Sequence, residues 1–222
     1  MEAASRYPIP ARVHRVEETI QRSRFLTTLA HAPDAEAAHA FVATIREEFP
    51  DATHNCWAFV AGPPGSTTHI GMSDDGEPHG TAGRPMLTTL LHGGVGEIVA
   101  VSTRYFGGVK LGTGGLSRAY SGGVKLGLEA LPTQEKVERV WVSVTVGYPD
   151  VDAIQRLLAE SDVVVEAEKY GADVHYRVGV PASELAGFRE AVADRSRGSA
   201  VVEAEPSAAN SRTGPRGTGS GA

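Results

Sequence analysis

Between residues 104 and 115 the chain reads RYFGGVKLGTGG, with five glycines, two cations and two aromatic rings in twelve positions. Glycines let backbone N–H groups approach an anion, and a helix that follows adds partial positive charge at its N-terminus. Gly107, Gly108, Gly112, Gly114 and Gly115 would form such a cradle, with Arg104, Lys110 and Arg118 supplying full charges. The competing reading is a tight strand-to-helix turn whose glycines serve backbone geometry alone. No Gly-Lys-Ser/Thr of a P-loop is present, and the spacing is not that of a dinucleotide-binding turn. Tyr105 and Phe106 stand beside Arg104, and rings next to cations are what single-stranded nucleic acid stacks on. Phe106 could equally anchor the loop to the core.

A second loop, SDDGEPHGTAG (73–83), gathers Asp74, Asp75 and Glu77 ahead of Gly80 and Thr81. Three carboxylates could hold a divalent ion through oxygen ligands. They could also cap the helix that follows, or pair with Arg84 and Arg104. The spacing is not that of an EF-hand. His54 and Cys56 share one face of a strand, and with His69 or His79 they could make a zinc site or a Cys–His dyad. Neither a second cysteine nor an HExxH spacing supports this, and a cysteine in an apolar run is usually inert packing. Ser102, Thr103 and Ser117 lie in no nucleophile elbow. The residues therefore name no catalytic group, no metal site and no cofactor.

Charge favours the glycine-rich segment as the functional surface. The chain of 222 residues carries a formal net charge of −6, which argues against coating nucleic acid by bulk charge. Residues 98–128 nevertheless hold Arg104, Lys110, Arg118 and Lys125 and no acid. Cys56 is the only cysteine, no apolar run approaches the ~20 residues of a membrane helix, and the first residues lack a signal-peptide core. A cytoplasmic protein without membrane contact is expected.

Two domains are expected to position these residues. In the first, 1–133, residues 11–30 read as two strands joined near Gln21. A helix over 35–48 follows, capped by Asp34, with Ala37, Phe41, Ile45 and Phe49 every fourth residue. NCWAFVA (55–61) and TTHIGMS (67–73) read as a hairpin, and a short helix starts near Pro85. EIVAVST (97–103) has the continuous apolar pattern of a strand covered on both faces. A helix from about Leu116 to Leu131 then carries Gly122, Gly123 and Gly127. Each glycine costs about 1 kcal/mol there relative to alanine, which predicts close packing on the sheet. Pro132-Thr133 reads as a linker. Residues 134–205 show a βαββαβ order, the pattern of a ferredoxin-like sandwich. The tail, 206–222, has a disordered composition.

ATHNCWAFVAG (52–62), SDDGEPHGTAGRPML (73–87) and TRYFGGVKLGTGGLSRAYSGGV (103–124) together resemble the YigZ/IMPACT family, three long motifs in order over about residues 20–131. The resemblance implies an α+β protein of two domains. The first would share the fold of a ribosomal small-subunit protein domain and of domain IV of elongation factor G. The second, ferredoxin-like, would be similar to domains III and V of that factor. The family also implies association with RNA or the ribosome in translational regulation. It points to Asp74, Asp75, Glu77, Gly80 and Thr81 and to Arg104, Tyr105, Gly107, Gly108, Lys110, Gly112, Gly114 and Gly115 as the residues that matter. The eukaryotic member acts on a starvation kinase with the help of an additional N-terminal domain, and that role is not carried over. Three functions follow as expectations. The first is a translation-associated binder of RNA or ribosome, using the two loops together with Arg118 and Lys125. The others are an enzyme or sensor for a phosphorylated small molecule and a protein-binding adaptor. The residues do not fix an oligomeric state.

Overall fold

The protein is described by a computed structural model covering residues 6–205, so the tail expected over 206–222 lies outside the described residues. The chain divides into two compact units that meet between Lys136 and Val137.

The first unit is built on a five-stranded antiparallel sheet. Its strands are β2 (His14–Ile20), β3 (Ser23–His31), β6 (Ile98–Tyr105), β4 (His54–Val60) and β5 (Ile70–Ser73), in that spatial order. The two strands expected over 11–30 are thus a hairpin, and Gln21 and Arg22 both take positive φ (45° and 68°) in its turn. Helix α1 (Ala35–Glu48) covers one sheet face. Asp34 accepts the Ala37 N–H at its start, and Val42 and Ile45 pack on Phe59, Val99 and Val101. Helices α2 (Gly83–His92) and α3 (Gly112–Glu129) cover the other face, over Phe25, Leu29, Cys56, Ala58, Ile98 and Ala100. β6 is central and covered on both sides, which is why it is apolar at consecutive positions. Its even residues face α2 and α3, and its odd residues face α1.

Three features differ from the sequence reading. The segment taken as a linker, with the residues after it, forms β7 (Thr133–Val137), which pairs with an unanticipated β1 (Arg6–Pro10). α3 starts at Gly112 rather than Leu116, so Gly112, Gly114 and Gly115 form its first turn and do not belong to the loop. Arg104 and Tyr105 end β6 and are likewise outside the loop.

Of the three glycines further along α3, two explain its close seat on the sheet. A Cβ on Gly123 would lie 2.5 Å from Thr27 Oγ1, and one on Gly127 2.5 Å from Leu29 Cδ1. Gly122 faces open space and plays no such part.

The second unit contains β8 (Arg139–Val146), α4 (Val151–Glu160), β9 (Val164–Tyr170), β10 (Val174–Pro181), α5 (Leu185–Arg195) and β11 (Val201–Ala204). The sheet order is β11-β8-β10-β9, all antiparallel. With its strands numbered one to four in sequence that order is 4-1-3-2, the ferredoxin-like topology expected from the βαββαβ pattern. Val142, Val144, Val146, Tyr176 and Val178 face Ile154, Leu158, Phe188 and Val192 of the helices.

Candidate functional site

The row of residues at the end of the central sheet sets the site. Phe25 on β3, Arg104 on β6 and His54 on β4 are cross-strand partners, so their side chains share one face, the face covered by α2 and α3. Arg104 is 5% exposed. Its Nη1 donates to Glu77 Oε1 at 2.6 Å and its Nη2 to Ser23 Oγ at 3.3 Å. Tyr120, fully buried on α3, donates its hydroxyl to the same Glu77 oxygen at 2.7 Å. A charge this deep needs such pairing, because desolvating it alone is costly. The guanidinium also lies between two rings, 5.4 Å from the Phe25 centroid and 5.5 Å from that of Phe106.

The acidic loop is committed to the protein's own backbone and cations. Asp74 accepts the N–H groups of Gly80, Ala82 and Gly83 at 2.7, 3.0 and 2.8 Å, which ties the loop to the start of α2. Burial alone would raise its pKa, but these three bonds favour the charged carboxylate and bring the net direction below the ordinary value. Asp75 takes the Asn55 N–H at 2.7 Å and Arg46 Nη2 at 2.5 Å, while its carbonyl meets His54 Nδ1 at 2.8 Å. Thr81 Oγ1 bonds the Pro78 carbonyl at 2.6 Å, and Gly80 takes φ 74°. The capping and pairing reading therefore describes this loop. Among the described residues no group of three or more His, Cys, Asp or Glu is placed to hold a metal ion. Cys56 is buried, its Sγ donates to the Asp74 carbonyl at 3.0 Å, and burial pushes its pKa up to about 12. A thiol held protonated at neutral pH is no nucleophile.

The glycine-rich segment is shaped by packing at its start and open at its end. A Cβ on Gly107 would fall 1.9 Å from the Arg22 carbonyl oxygen, so only glycine fits there. The Gly107 N–H bonds Ser23 Oγ at 3.2 Å, and the Phe106 N–H bonds Thr53 Oγ1 at 3.1 Å. Beyond this anchor the chain turns through Gly108 (φ 82°) and enters α3 at Gly112 (φ 70°). No side chain caps α3, and its first turn holds no acid.

The two loops converge. Glu77 and Pro78 from the acidic loop, Arg104 from β6, and Phe106, Lys110, Leu111, Gly112, Thr113 and Leu116 line one cavity of about 360 Å³. Lys110 and Arg118 are exposed, and among the described residues no carboxylate lies within ion-pair distance of either. Arg118 Nη1 lies 3.5 Å from where a Cβ on Gly114 would stand, at the first turn of α3. Gly115 packs on Leu111.

Three of the expected site residues sit elsewhere or serve other ends. Arg104 is a buried structural cation and no surface contact, so the local excess of +4 overstates the free charge. Tyr105 points to the other sheet face, where its hydroxyl bonds Asp51 Oδ1 at 3.0 Å and Arg24 lies 5.7 Å from its ring. Lys125 lies thirteen residues into α3 from Gly112, roughly 20 Å along the axis, and stands 4.0 Å from Glu129. Sequence reading missed Ser23, Phe25, Thr53 and Tyr120. Only Tyr120 left a signal: a tyrosine on an inward helix face needs a partner for its hydroxyl.

Comparison with known proteins agrees with this architecture. The family profile of the Impact N-terminal domain matches residues 21–129, and a domain of unknown function, DUF1949, matches residues 144–199. IMPACT family member YigZ of Escherichia coli (strain K12) is 49% identical over 191 residues, 86% of this chain and 94% of that protein. An IMPACT family member of Haemophilus influenzae is 40% identical over 197 residues, 89% of this chain and 96% of the relative. A crystal structure of a hypothetical protein superposes with a TM-score of 0.66 at 46% identity, covering 91% of this chain and 98% of the other.

Proposed function

The chain belongs to the IMPACT family, and from that premise we propose that it is a translation-associated regulator that binds RNA, free or in the ribosome, through the cavity at the start of α3. One observation carries the reading: the uncapped N-terminus of α3 opens on a cavity bordered by Lys110, with Arg118 beside its first turn and neither cation paired among the described residues. Helix N-terminal amides and unpaired cations favour phosphate oxygens. Of the carboxylates nearby, Glu77 meets the cavity already paired with Arg104 and bonded by Tyr120, and Asp74 and Asp75 do not line it. On this reading the protein works in the cytoplasm, beside the ribosomes.

The readings as a phosphorylated-metabolite enzyme and as a protein adaptor are weaker. An enzyme would need a free base beside the bound phosphate, and the local carboxylates are all engaged. Co-sedimentation with ribosomes at low and raised salt tests the proposal. Wild type should pellet with ribosomes at low salt and be released as salt rises, and Lys110→Glu should fail to pellet at either. Nuclease-resistant, salt-insensitive capture would favour the adaptor and sink the RNA reading.

A further inference from the structure

We infer that the cavity takes a single unpaired nucleotide of an RNA strand, its base laid on Phe106 and its phosphate held by Lys110 and the first-turn amides of α3; this rests on the reading of the site as RNA-binding. The observation behind it is a stack that runs from the core to the surface. Phe25, 2% exposed, Arg104, 5% exposed, and Phe106, 48% exposed, succeed one another at 5.4 and 5.5 Å. The inner two members are buried, and the outer ring lines the cavity. A flat ring with one supported side is what a splayed-out base stacks on, and every base offers a π-face to it.

The platform is fixed before any ligand arrives. Phe106 and Gly107 are held by their N–H bonds to Thr53 and Ser23, and Gly107 is wedged against the Arg22 carbonyl. Little ordering cost remains for binding. Size also selects. A cavity of about 360 Å³ is near the lower end for pockets that enclose small ligands, roughly 300–1,000 Å³, about the room of one base with its phosphate, and a base still stacked in a duplex has no free face to lay on Phe106. Arg104, whose side chain borders the cavity, keeps its Nε buried without a hydrogen-bond partner. Buried donors of this kind are exceptional in folded proteins. The apolar side chains of Leu111 and Leu116 complete walls suited to a base and ill suited to a bare phosphate.

The test is fluorescence anisotropy with a labelled mixed-sequence RNA single strand of about eight nucleotides, the same sequence closed in a duplex, and unlabelled nucleoside monophosphate as competitor. The full chain is used as wild type, Phe106→Ala, Phe106→Tyr and Lys110→Ala, each checked by its melting temperature. The single strand should bind at least about tenfold tighter than the duplex, Phe106→Ala should lose about tenfold or more, and Phe106→Tyr should retain binding. The free monophosphate should compete only at far higher concentration than the strand. Equal binding of duplex and strand, or an unaffected Phe106→Ala beside a weakened Lys110→Ala, overturns the nucleotide pocket and leaves the electrostatic RNA reading standing. Competition by the monophosphate at the strand's own concentration range overturns the assignment to a strand. Binding by no form removes the inference together with the reading beneath it.

Discussion

Arg104 and Glu77 meet at 2.6 Å with side chains only 6% and 3% exposed, and this pair joins the acidic loop to the end of β6, just before the glycine-rich loop. Breaking a buried pair by removing one partner strands the other charge and costs about 3–5 kcal/mol. Arg104→Ala and Glu77→Ala should each destabilise the protein by that order in urea denaturation. The double variant should lose less than the sum of the two, because the partners couple. Additive losses would show that the pair does not hold the acidic loop to β6. Loss of RNA binding in Arg104→Ala is therefore no evidence of a direct contact.

The α3 glycines supply a contrast on one helix. Gly123→Ala would place a methyl 2.5 Å from Thr27 Oγ1, and such overpacking costs about 1–3 kcal/mol. Gly122→Ala meets open space and should instead stabilise by up to about 1 kcal/mol through helix propensity. Thermal melts of the two variants should shift in opposite directions.

Much of this architecture was legible in the sequence, and the failures have local causes. The bounds of helix α1 are legible because Asp34 and the four-residue spacing of its apolar positions act over short range. β6 was readable because a strand covered on both faces keeps few polar residues. The RNA-binding expectation presupposes that the two loops converge, which no local pattern shows because it depends on β4 and β6 lying side by side. Burial of Arg104 could not be read locally: its partner is twenty-seven residues away on another element. The early start of α3 was hidden by glycine, whose low helix propensity is overridden once the sheet fixes the chain on either side. Glu97 reads in the sequence as the first residue of a strand but lies just before β6. It takes φ 48°, with its N–H on the Gly62 carbonyl at 2.8 Å and its carbonyl on the Ala32 N–H at 2.7 Å.

Glu97 makes acid stability a further test. Burial alone would raise its pKa, but bonds from Lys136, from His31 Nε2 at 2.7 Å and from the Tyr7 hydroxyl at 3.2 Å hold it below the ordinary 4.5. A depressed carboxylate contributes stability that is present above its unfolded pKa and lost as pH falls through its folded value. Unfolding free energy should therefore drop as pH falls below about 4.5, and Glu97→Gln should flatten that drop while lowering stability at neutral pH. Asp74, also depressed, contributes in the same direction. An unchanged acid limb in Glu97→Gln would contradict this account of the carboxylate.

Cys56 gives a chemical test of the core. With its pKa pushed up to about 12 by burial, its thiolate is scarce at neutral pH and its sulfur is out of solvent. Alkylation by iodoacetamide, followed by mass spectrometry, should be negligible in native protein and rapid in denaturant. Prompt native labelling would mean that the sheet and α3 part readily.

Salt dependence of RNA affinity reaches the functional proposal most directly. Two phosphates neutralised, one at Lys110 and one at Arg118, give a slope of about −1.4 in log affinity against log salt for a single strand. Lys110→Ala should shallow the slope by about 0.7 without changing the melting temperature. A slope near zero in the wild type, or one that Lys110→Ala leaves unchanged, would contradict phosphate binding at the start of α3.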